Sequence, residues 1–343
     1  MSKQKVIVTG GMGYIGSHTI VDLLQKGFDV VSIDNLSRAN RFCIEGIKQI
    51  TGVTVKNYEI DLCDLDKLRL AFKENADAKG IIHFGAYKDV LESVNEPLVY
   101  YHNNISSTVN ILKCAEEFKI KHFIFSSSCT VYGNIETLPV LEETPFGEPA
   151  CPYALTKQVG EKMIYDVVAA KSEICFVLLR YFNPAGAHFS GAIGEFLHTK
   201  GNHLVPVITQ VAAGIRPELT INGTDYPTRD GTGLRDFIHV MDIADAHTLA
   251  LNSSFDNKFK DQIEVFNLGT GQGITVLEAV KCFEESNGLK LKYSVGPRRE
   301  GDIVAIYASN EKAKNRLGWT PKHTLSDIMR TAWKWQQQLA DKN

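Results

Sequence analysis

The sequence predicts an α/β chain built on a doubly wound parallel sheet, with a smaller, discontinuous lobe toward the C-terminal end. Three observations point there. Short runs rich in Val, Ile and Phe alternate with helical patterning through the first half of the chain. A cluster of glycines joins the first of these runs to the first helix. From Pro184 to about Thr232 the alternation gives way to an irregular stretch rich in Gly and Pro, and then resumes.

The elements follow in order. KVIVTG reads as the first strand from its Val and Ile content. SHTIVDLLQKG reads as a helix, with Gly27 as its stop signal. DVVSID, VTVKNYEID, GIIHFGA, HFIFSSS and CFVLLRYFN continue the strands, and helical segments such as STVNILKCAEEF lie between them. RDFIHVMDIADAHTLAL is expected to rejoin the sheet as a strand and a helix, and VFNLGTG to add a last strand. TVLE, Thr275 to Glu278, has the spacing of a capping box that opens a further helix. The tail carries PRREGD and a helix ending near Gln338. On this reading residues 1–183 with about 236–273 form a nucleotide-binding domain, and about 184–235 with 274–343 form a substrate-binding lobe.

Bulk properties narrow the partners. A chain of 343 residues suits one large domain or two medium ones. Apolar residues make up 44% and charged residues 22%, the balance of an ordinary globular domain. A net charge of −3 gives no reason to expect nucleic acid or an anionic membrane as partner. No apolar run approaches the ~18 residues of a membrane span, and MSKQKVIVTGG enters a strand without a signal-peptide core. The seven cysteines are odd in number and lack any CxxC, so they read as reduced thiols of a cytoplasmic protein. No metal site is expected.

TGGMGYIG places Gly11-x-Gly13-x-x-Gly16, and equally Gly10-x-x-Gly13-x-x-Gly16, after the first strand and before a helix. Glycines there allow a tight turn and close approach of a pyrophosphate, while the helix N-terminus offers free N–H groups and a positive dipole end. Asp34 ends the second strand, where an acid meets the adenosine ribose hydroxyls. Together these define a Rossmann-type dinucleotide site. A carboxylate at that position repels a 2′-phosphate, which favours NAD over NADP; Arg38 is the one residue that argues the other way.

CPYALTK then carries the chemistry. Tyr153 and Lys157 are four residues apart and share a helix face. A phenol titrates near pH 10, and bringing it to about 7 takes roughly 4 kcal/mol of differential stabilisation. An ammonium alongside favours the phenolate. With 12 tyrosines in the chain, one such pair is expected by chance, so placement decides its meaning. SSS ends the fifth strand and the Tyr153 helix follows, so both border the crevice beyond the strand ends where a dinucleotide lies. Ser128 is then the natural hydrogen-bond partner of a reacting oxygen, or else a serine satisfying backbone at a strand end.

TGGMGYIGSHT, DNLS, FSSSCTVYG, YALTK, RYFNPAGAH, DYPTRDGTGLRDFIHVMDIAD and PRREGD, in this order and spacing, resemble the extended short-chain dehydrogenase/reductase family, in the branch that inverts C4 of UDP-hexoses. The resemblance runs from Lys5 to about Trp335. It implies NAD-dependent interconversion of UDP-glucose and UDP-galactose through a 4-keto sugar, a reaction of galactose metabolism, with NAD held throughout. It implies Tyr153 as the base, Lys157 as the residue that lowers its pKa, and Ser128 as a hydrogen-bond partner of the sugar oxygen. Gly10, Gly13, Tyr14, Ile15, Gly16, Asp34, Asn35, Asp61, Leu62, Phe84, Lys88, Asn103, Tyr181 and Phe182 match positions that line NAD. Asn183, Leu204, Asn222, Arg235, Arg299 and Asp302 match positions that hold the UDP-sugar. Relatives commonly form homodimers through the helices flanking the tyrosine.

The residues themselves agree with that chemistry. If hydride leaves one face of C4 and returns to the other, the hexose must turn and has to be held loosely, while the diphosphate has to be held firmly. Guanidinium forks at Arg235 and Arg299 suit the phosphates, although each also reads as a surface charge. Asp302 and Lys88 likewise read as loop residues. Several positions depart from the family pattern. Asn222 stands where an aromatic stacks on uracil, and His203 where an asparagine is usual. EFLHTKGNH replaces an acidic, proline-containing segment, and Phe84-Gly85-Ala86 inverts the usual Ala-Gly order. Ile306 occupies the position that governs acceptance of N-acetylated sugars, and isoleucine leaves UDP-GlcNAc open. A nucleotide-sugar 4,6-dehydratase needs an acid and a base before VYG, where this chain has Cys129 and Thr130. A dehydrogenase that releases NADH, and a non-catalytic NAD-binding sensor, are the remaining alternatives.

Overall fold

The computed structural model describes residues 3–196, 203–298 and 303–340. Its centre is a parallel sheet made of β1 (Lys5–Thr9), β2 (Asp29–Ile33), β3 (Lys56–Tyr58), β4 (Gly80–His83), β5 (His122–Ser128), β6 (Cys175–Tyr181) and a last strand, Ile263–Leu268. Four short strands come between β6 and that one: β7 (Asn183–Ala185), β8 (Leu219–Asn222), β9 (Leu234–Arg235) and β10 (Phe237–His239). Ile263–Leu268 is therefore β11, and β12 (Ile274–Thr275), β13 (Tyr293–Gly296) and β14 (Ala305–Ile306) follow. The helices of the first half are α1 (Tyr14–Gln25), α2 (Phe42–Thr51), α3 (Leu65–Glu74), α4 (Val90–Asn95), α5 (Pro97–Glu117) and α6 (Pro152–Ala169). Those of the second half are α7 (Leu204–Ala212), α8 (Val240–Phe255), α9 (Val276–Asn287), α10 (Glu311–Leu317) and α11 (Leu325–Ala340).

The seven strands run in the order β11-β6-β5-β4-β1-β2-β3, all parallel. Successive side chains of a strand point to opposite faces, and both faces are covered. Val6 and Val8 enter one apolar cluster with Ile20 and Val21 of α1 and Ile243 of α8. Ile7, between them, enters the other with Phe72 of α3 and Ile111 of α5. This two-sided burial explains why the strands read as nearly continuous apolar runs. The order reverses between β1 and β4, which makes the crevice above those two strands the ligand-binding switch point.

A separate core lies beyond the sheet. Val205 and Ile208 of α7, Leu219 and Ile221 of β8, Phe283 of α9 and Ile328 and Met329 of α11 form it together. Thr275 caps α9 in the expected capping box with Glu278. By contrast α10, through Ala313 and Leu317, and the buried Trp319 pack against the cluster that contains α1 and α8.

Three details differ from the sequence reading. Helix α1 begins at Tyr14, three residues before Ser17, because Gly13 already takes the extended N-cap conformation. VTVKNYEID contributes only the three residues of β3. RDFIHV does not rejoin the large sheet: β10 pairs with β7 in a two-stranded sheet. The place beside β6 is taken by β11, in register from Ile263 opposite Phe176 to Leu268 opposite Tyr181.

Candidate active site

The glycine turn after β1 is shaped for a ligand's backbone-close approach. Gly10 has φ +67°, and a Cβ there would lie 2.7 Å from Gly85 N. A Cβ at Gly16 would collide with the Gly10 carbonyl. Gly13 holds the N-cap of α1 with no side chain satisfying the helix's first N–H groups, which leaves them for an anion. Asp34, at the end of β2, accepts from Met12 N at 3.0 Å through Oδ2 and from Leu36 N at 2.8 Å through Oδ1. Burial raises its carboxyl, opposed by these backbone N–H groups. Asn35 donates to Asp61 at 3.3 Å, tying the ends of β2 and β3 together. Leu62 is buried beside Gly85. A glycine cradle, an uncapped helix end and a buried acid at the second strand are what a dinucleotide's pyrophosphate and ribose require, so these residues fit NAD.

Phe84 packs against His247 with ring centroids 4.6 Å apart. Asn103 donates to Asn104 Oδ1 at 2.9 Å. Lys88 donates to Glu195 Oε1 at 2.6 Å, and His203 Nδ1 lies 3.1 Å from the same oxygen. Burial alone would raise the Glu195 carboxyl, but Lys88 and His203 outweigh it and bring it down to about 2. Glu195 carried no signal in the sequence reading, and nothing local to Lys88 predicts a partner so far along the chain.

Tyr153 is the second residue of α6 and is buried. Lys157, one turn on, donates to the Ser126 carbonyl at 2.6 Å, and its Nζ lies 5.9 Å from the Tyr153 ring centroid. Burial pushes the Tyr153 phenol up, with a hydrogen bond to Ser128 pulling the other way. Burial also lowers the Lys157 ammonium, to about 8, opposed by Glu161. Without a ligand in the crevice, desolvation is the larger influence at both groups, and any added positive charge favours the phenolate.

The serines of β5 divide their tasks. Ser126 Oγ makes a short hydrogen bond with Tyr181 Oη. Ser127 donates to Glu161 at 2.5 Å, and Glu161 takes a two-pronged contact from Arg180. Ser128 Oγ accepts from Thr130 N at 3.2 Å and caps the 3₁₀ turn Cys129–Tyr132. Glu161 is four residues beyond Lys157 on the same helix face, so the spacing that exposed the Tyr-Lys pair reaches it as well.

The expected substrate residues spread over the neighbouring elements. Asn183 follows β6, and its Oδ1 is buried without a hydrogen-bond partner among the described residues. Leu204 opens α7. Asn222 ends β8 and donates to Thr220 O at 3.3 Å. Arg235 donates to the carbonyls of Leu234 and Ile303, at 2.9 and 2.7 Å. Ile306, opposite Arg235 in register, is buried in a cluster with Cys129 and Phe182. That contact brings it beside the Ser128 turn. Arg299, Asp302 and residues 197–202 of the segment flagged above lie outside the described residues.

Comparison with known proteins bears on this geometry. Residues 6–269 match the model of the NAD dependent epimerase/dehydratase family. The chain is 44% identical over 331 residues to a UDP-glucose 4-epimerase of Bacillus subtilis, covering 96% of each. It is 41% identical over 344 residues to one of Drosophila melanogaster, covering 98% of each. Among solved structures, the UDP-glucose 4-epimerase of Stenotrophomonas maltophila, with bound NAD and formylated UDP-arabinopyranose, superposes with a TM-score of 0.95 at 41% identity, covering 99% of this chain and 100% of that one. The enzyme of Bifidobacterium longum, in complex with NAD+ and UDP, gives 0.93 at 42% identity, with 99% and 100% covered.

Proposed function

This chain belongs to the NAD dependent epimerase/dehydratase family, and from that membership we infer that it interconverts UDP-glucose and UDP-galactose by reversible inversion at C4. The observation that carries this reading is the near full-length likeness to UDP-glucose 4-epimerases, in a chain where Tyr153, Lys157 and Ser128 lie together at the end of β5. NAD held there would supply a reversible hydride acceptor for C4 and a unit of positive charge.

The chain's own residues divide the remaining work. Gly10, Gly13 and Gly16, with the N–H groups of Tyr14 and Ile15, hold the pyrophosphate. Asp34 and Asn35 take the adenosine ribose; Asp61, Leu62, Phe84, Lys88, Asn103, Tyr181 and Phe182 line the rest of the dinucleotide site. Tyr153 takes the proton of the 4-hydroxyl and gives it back. Ser128 hydrogen-bonds the sugar oxygen, and Lys157 adds its charge and a donor. Asn183, Leu204, Asn222, Arg235, Arg299 and Asp302 hold the UDP moiety, so that the hexose can turn while the nucleotide stays. Asn183 Oδ1, which is buried and has no hydrogen-bond partner among the described residues, supports a donor from substrate at that position. The separate core around α7, α9 and α11 supports a lobe at about residues 184–235 and 274–343, less α10 and Trp319, which pack with α1 and α8.

Exposed Leu98 and Val99 of α5 and Tyr165 of α6 support a homodimer through those helices. Free thiols throughout support a cytoplasmic setting, and no helix among the described residues is long and apolar enough to cross a membrane. Incubation with UDP-galactose, UDP-GalNAc and UDP-arabinose without added NAD, with products separated by chromatography, tests the reading. UDP-glucose should form from UDP-galactose with no net NADH; no product from any of the three would sink it. Net NADH instead would mark a dehydrogenase. The UDP-GalNAc arm decides whether Ile306 admits N-acetylated sugars.

A further inference from the structure

The loops after β2 and β4 lie on opposite sides of β1, because the sheet order is β4-β1-β2. The glycine turn after β1 therefore sits between them, at the switch point. Arg38, on the β2 loop, crosses this gap. Its Nη2 donates to Glu92 Oε1 at 2.5 Å, and its guanidinium lies 4.5 Å from the centroid of the Tyr87 ring. Ser37 Oγ is 3.5 Å from Tyr87 Oη.

The two sides of this contact differ in stiffness. Tyr87 is clamped: Asn104 of α5 accepts from its N–H at 2.8 Å and donates to its carbonyl at 3.0 Å. Glu92 is oriented by the fully buried Tyr100, whose hydroxyl donates to Oε2 at 2.8 Å. Arg38 instead sits on a turn held by single hydrogen bonds, from Leu36 N to Asp34 and from Ser37 N to Asn35. Leu36 in that turn has φ +59°, a left-handed conformation that side chains rarely adopt. Leu36 and Ala39 pack against the cluster of α1 and α8, so the freedom on this side is that of the part-exposed Arg38 side chain, set against a platform held by α5.

We propose that Arg38 is a latch over the cofactor crevice, closed by Glu92 and Tyr87, and that it sets how fast NAD leaves the protein. The proposal rests on the NAD-dependent reading above. A dinucleotide across the switch point lies beneath the joined loops, and they must part to release it. The same contact commits the guanidinium to Glu92, which withdraws this cation from a 2′-phosphate. An ion pair and a cation–π contact are each modest when partly exposed, so the latch slows release without sealing the site.

The test uses the holoprotein as purified and follows exchange of bound NAD against an excess of labelled NAD. Arg38→Ala, which loses both the ion pair and the Tyr87 contact, should speed exchange about tenfold, and Glu92→Gln, which loses only the ion pair, about threefold. The double variant should be no faster than Arg38→Ala, because the two residues make one closure. High salt should speed exchange of the unaltered protein and leave Glu92→Gln unmoved. Glu92→Gln is nearly isosteric, so it keeps the test alive if Arg38→Ala fails to fold. Exchange at the unaltered rate in Glu92→Gln, or singles whose effects multiply in the double variant, overturns the latch. A protein that neither carries nor takes up NAD overturns the family-based reading and the latch with it.

Discussion

At Tyr153 burial pushes the phenol above its ordinary value, and the Ser128 hydrogen bond pulls it back only in part. Lys157, lowered to about 8, still carries its proton through most of the neutral range. The pair is thus poised to gain from any further positive charge in the crevice. Tyr153→Phe removes the proposed base. Turnover should fall by roughly 10²–10⁴-fold while NAD stays bound, and near-normal activity would refute the assignment. Lys157→Met removes the cation but keeps the stem. Rate against pH should then show its acidic limb moved upward, with activity partly recovered as the medium becomes more alkaline; an unmoved profile counts against the role. The Tyr-Lys pair was legible because i, i+4 spacing is a local property. Glu161 extends the same face and was legible by the same rule, though its value depends on Arg180. The Lys88–Glu195 contact was not legible, since its partners are 107 residues apart in sequence.

Elements show the same division. The strands of the large sheet announce themselves, since each is a short apolar run flanked by a helix of its own. The small sheets do not. β9, β12 and β14 have two residues each and find one another across the chain. β8 pairs with β13, Leu219 opposite Tyr293, with two helices and four strands of the chain between them. Pairings made only by tertiary packing leave no periodicity to read. Where a local rule does operate in this region, it holds, as at Thr275. Its hydroxyl caps α9, accepting from Glu278 N at 3.2 Å, and donates to Asp230 at 2.5 Å. Arg229 meets Glu278 from the same segment, so the cap also fastens the Gly-rich stretch to the helix. Thr275→Ala should cost about 1–2 kcal/mol of stability, read as a lower urea midpoint. Thr275→Ser should restore most of it, and equal midpoints for the alanine variant and the parent would show that the cap contributes nothing.

Across the whole molecule, four buried histidines link helices to the sheet and to the second core. His83 sits in the sheet between Thr9 Oγ1 at 2.7 Å and Thr108 Oγ1 at 3.3 Å. His18 on α1 is within 2.7 Å of the Tyr14 carbonyl. His239 caps α8 and reaches Thr331 of α11 at 3.1 Å, and His247 on α8 packs between Phe84 and Tyr181. Burial lowers His18, His83 and His239 to about 3 and His247 to about 4. An unfolded chain protonates them near pH 6.5. The folded state therefore binds fewer protons below that pH, so their contribution is complete above about pH 6.5 and is lost as pH falls toward the folded values. Each such group contributes a slope of about 1.4 kcal/mol per pH unit, and four together give roughly 5 kcal/mol per unit once the unfolded forms are charged. Carboxyls raised by burial, such as Asp34, Asp236 and Asp242, act in the opposite direction. They do so between the ordinary carboxyl value near pH 4 and their own raised values. From about pH 6.5 downward the histidines make the unfolding free energy fall with pH, and the raised carboxyls oppose them as their own values are reached. His247→Leu removes one such titration without adding a charge, and should lower the slope by about 1.4 kcal/mol per pH unit at most. Denaturant unfolding at a series of pH values measures both slopes; equal slopes in parent and variant would mean that His247 keeps an ordinary pKa despite its burial.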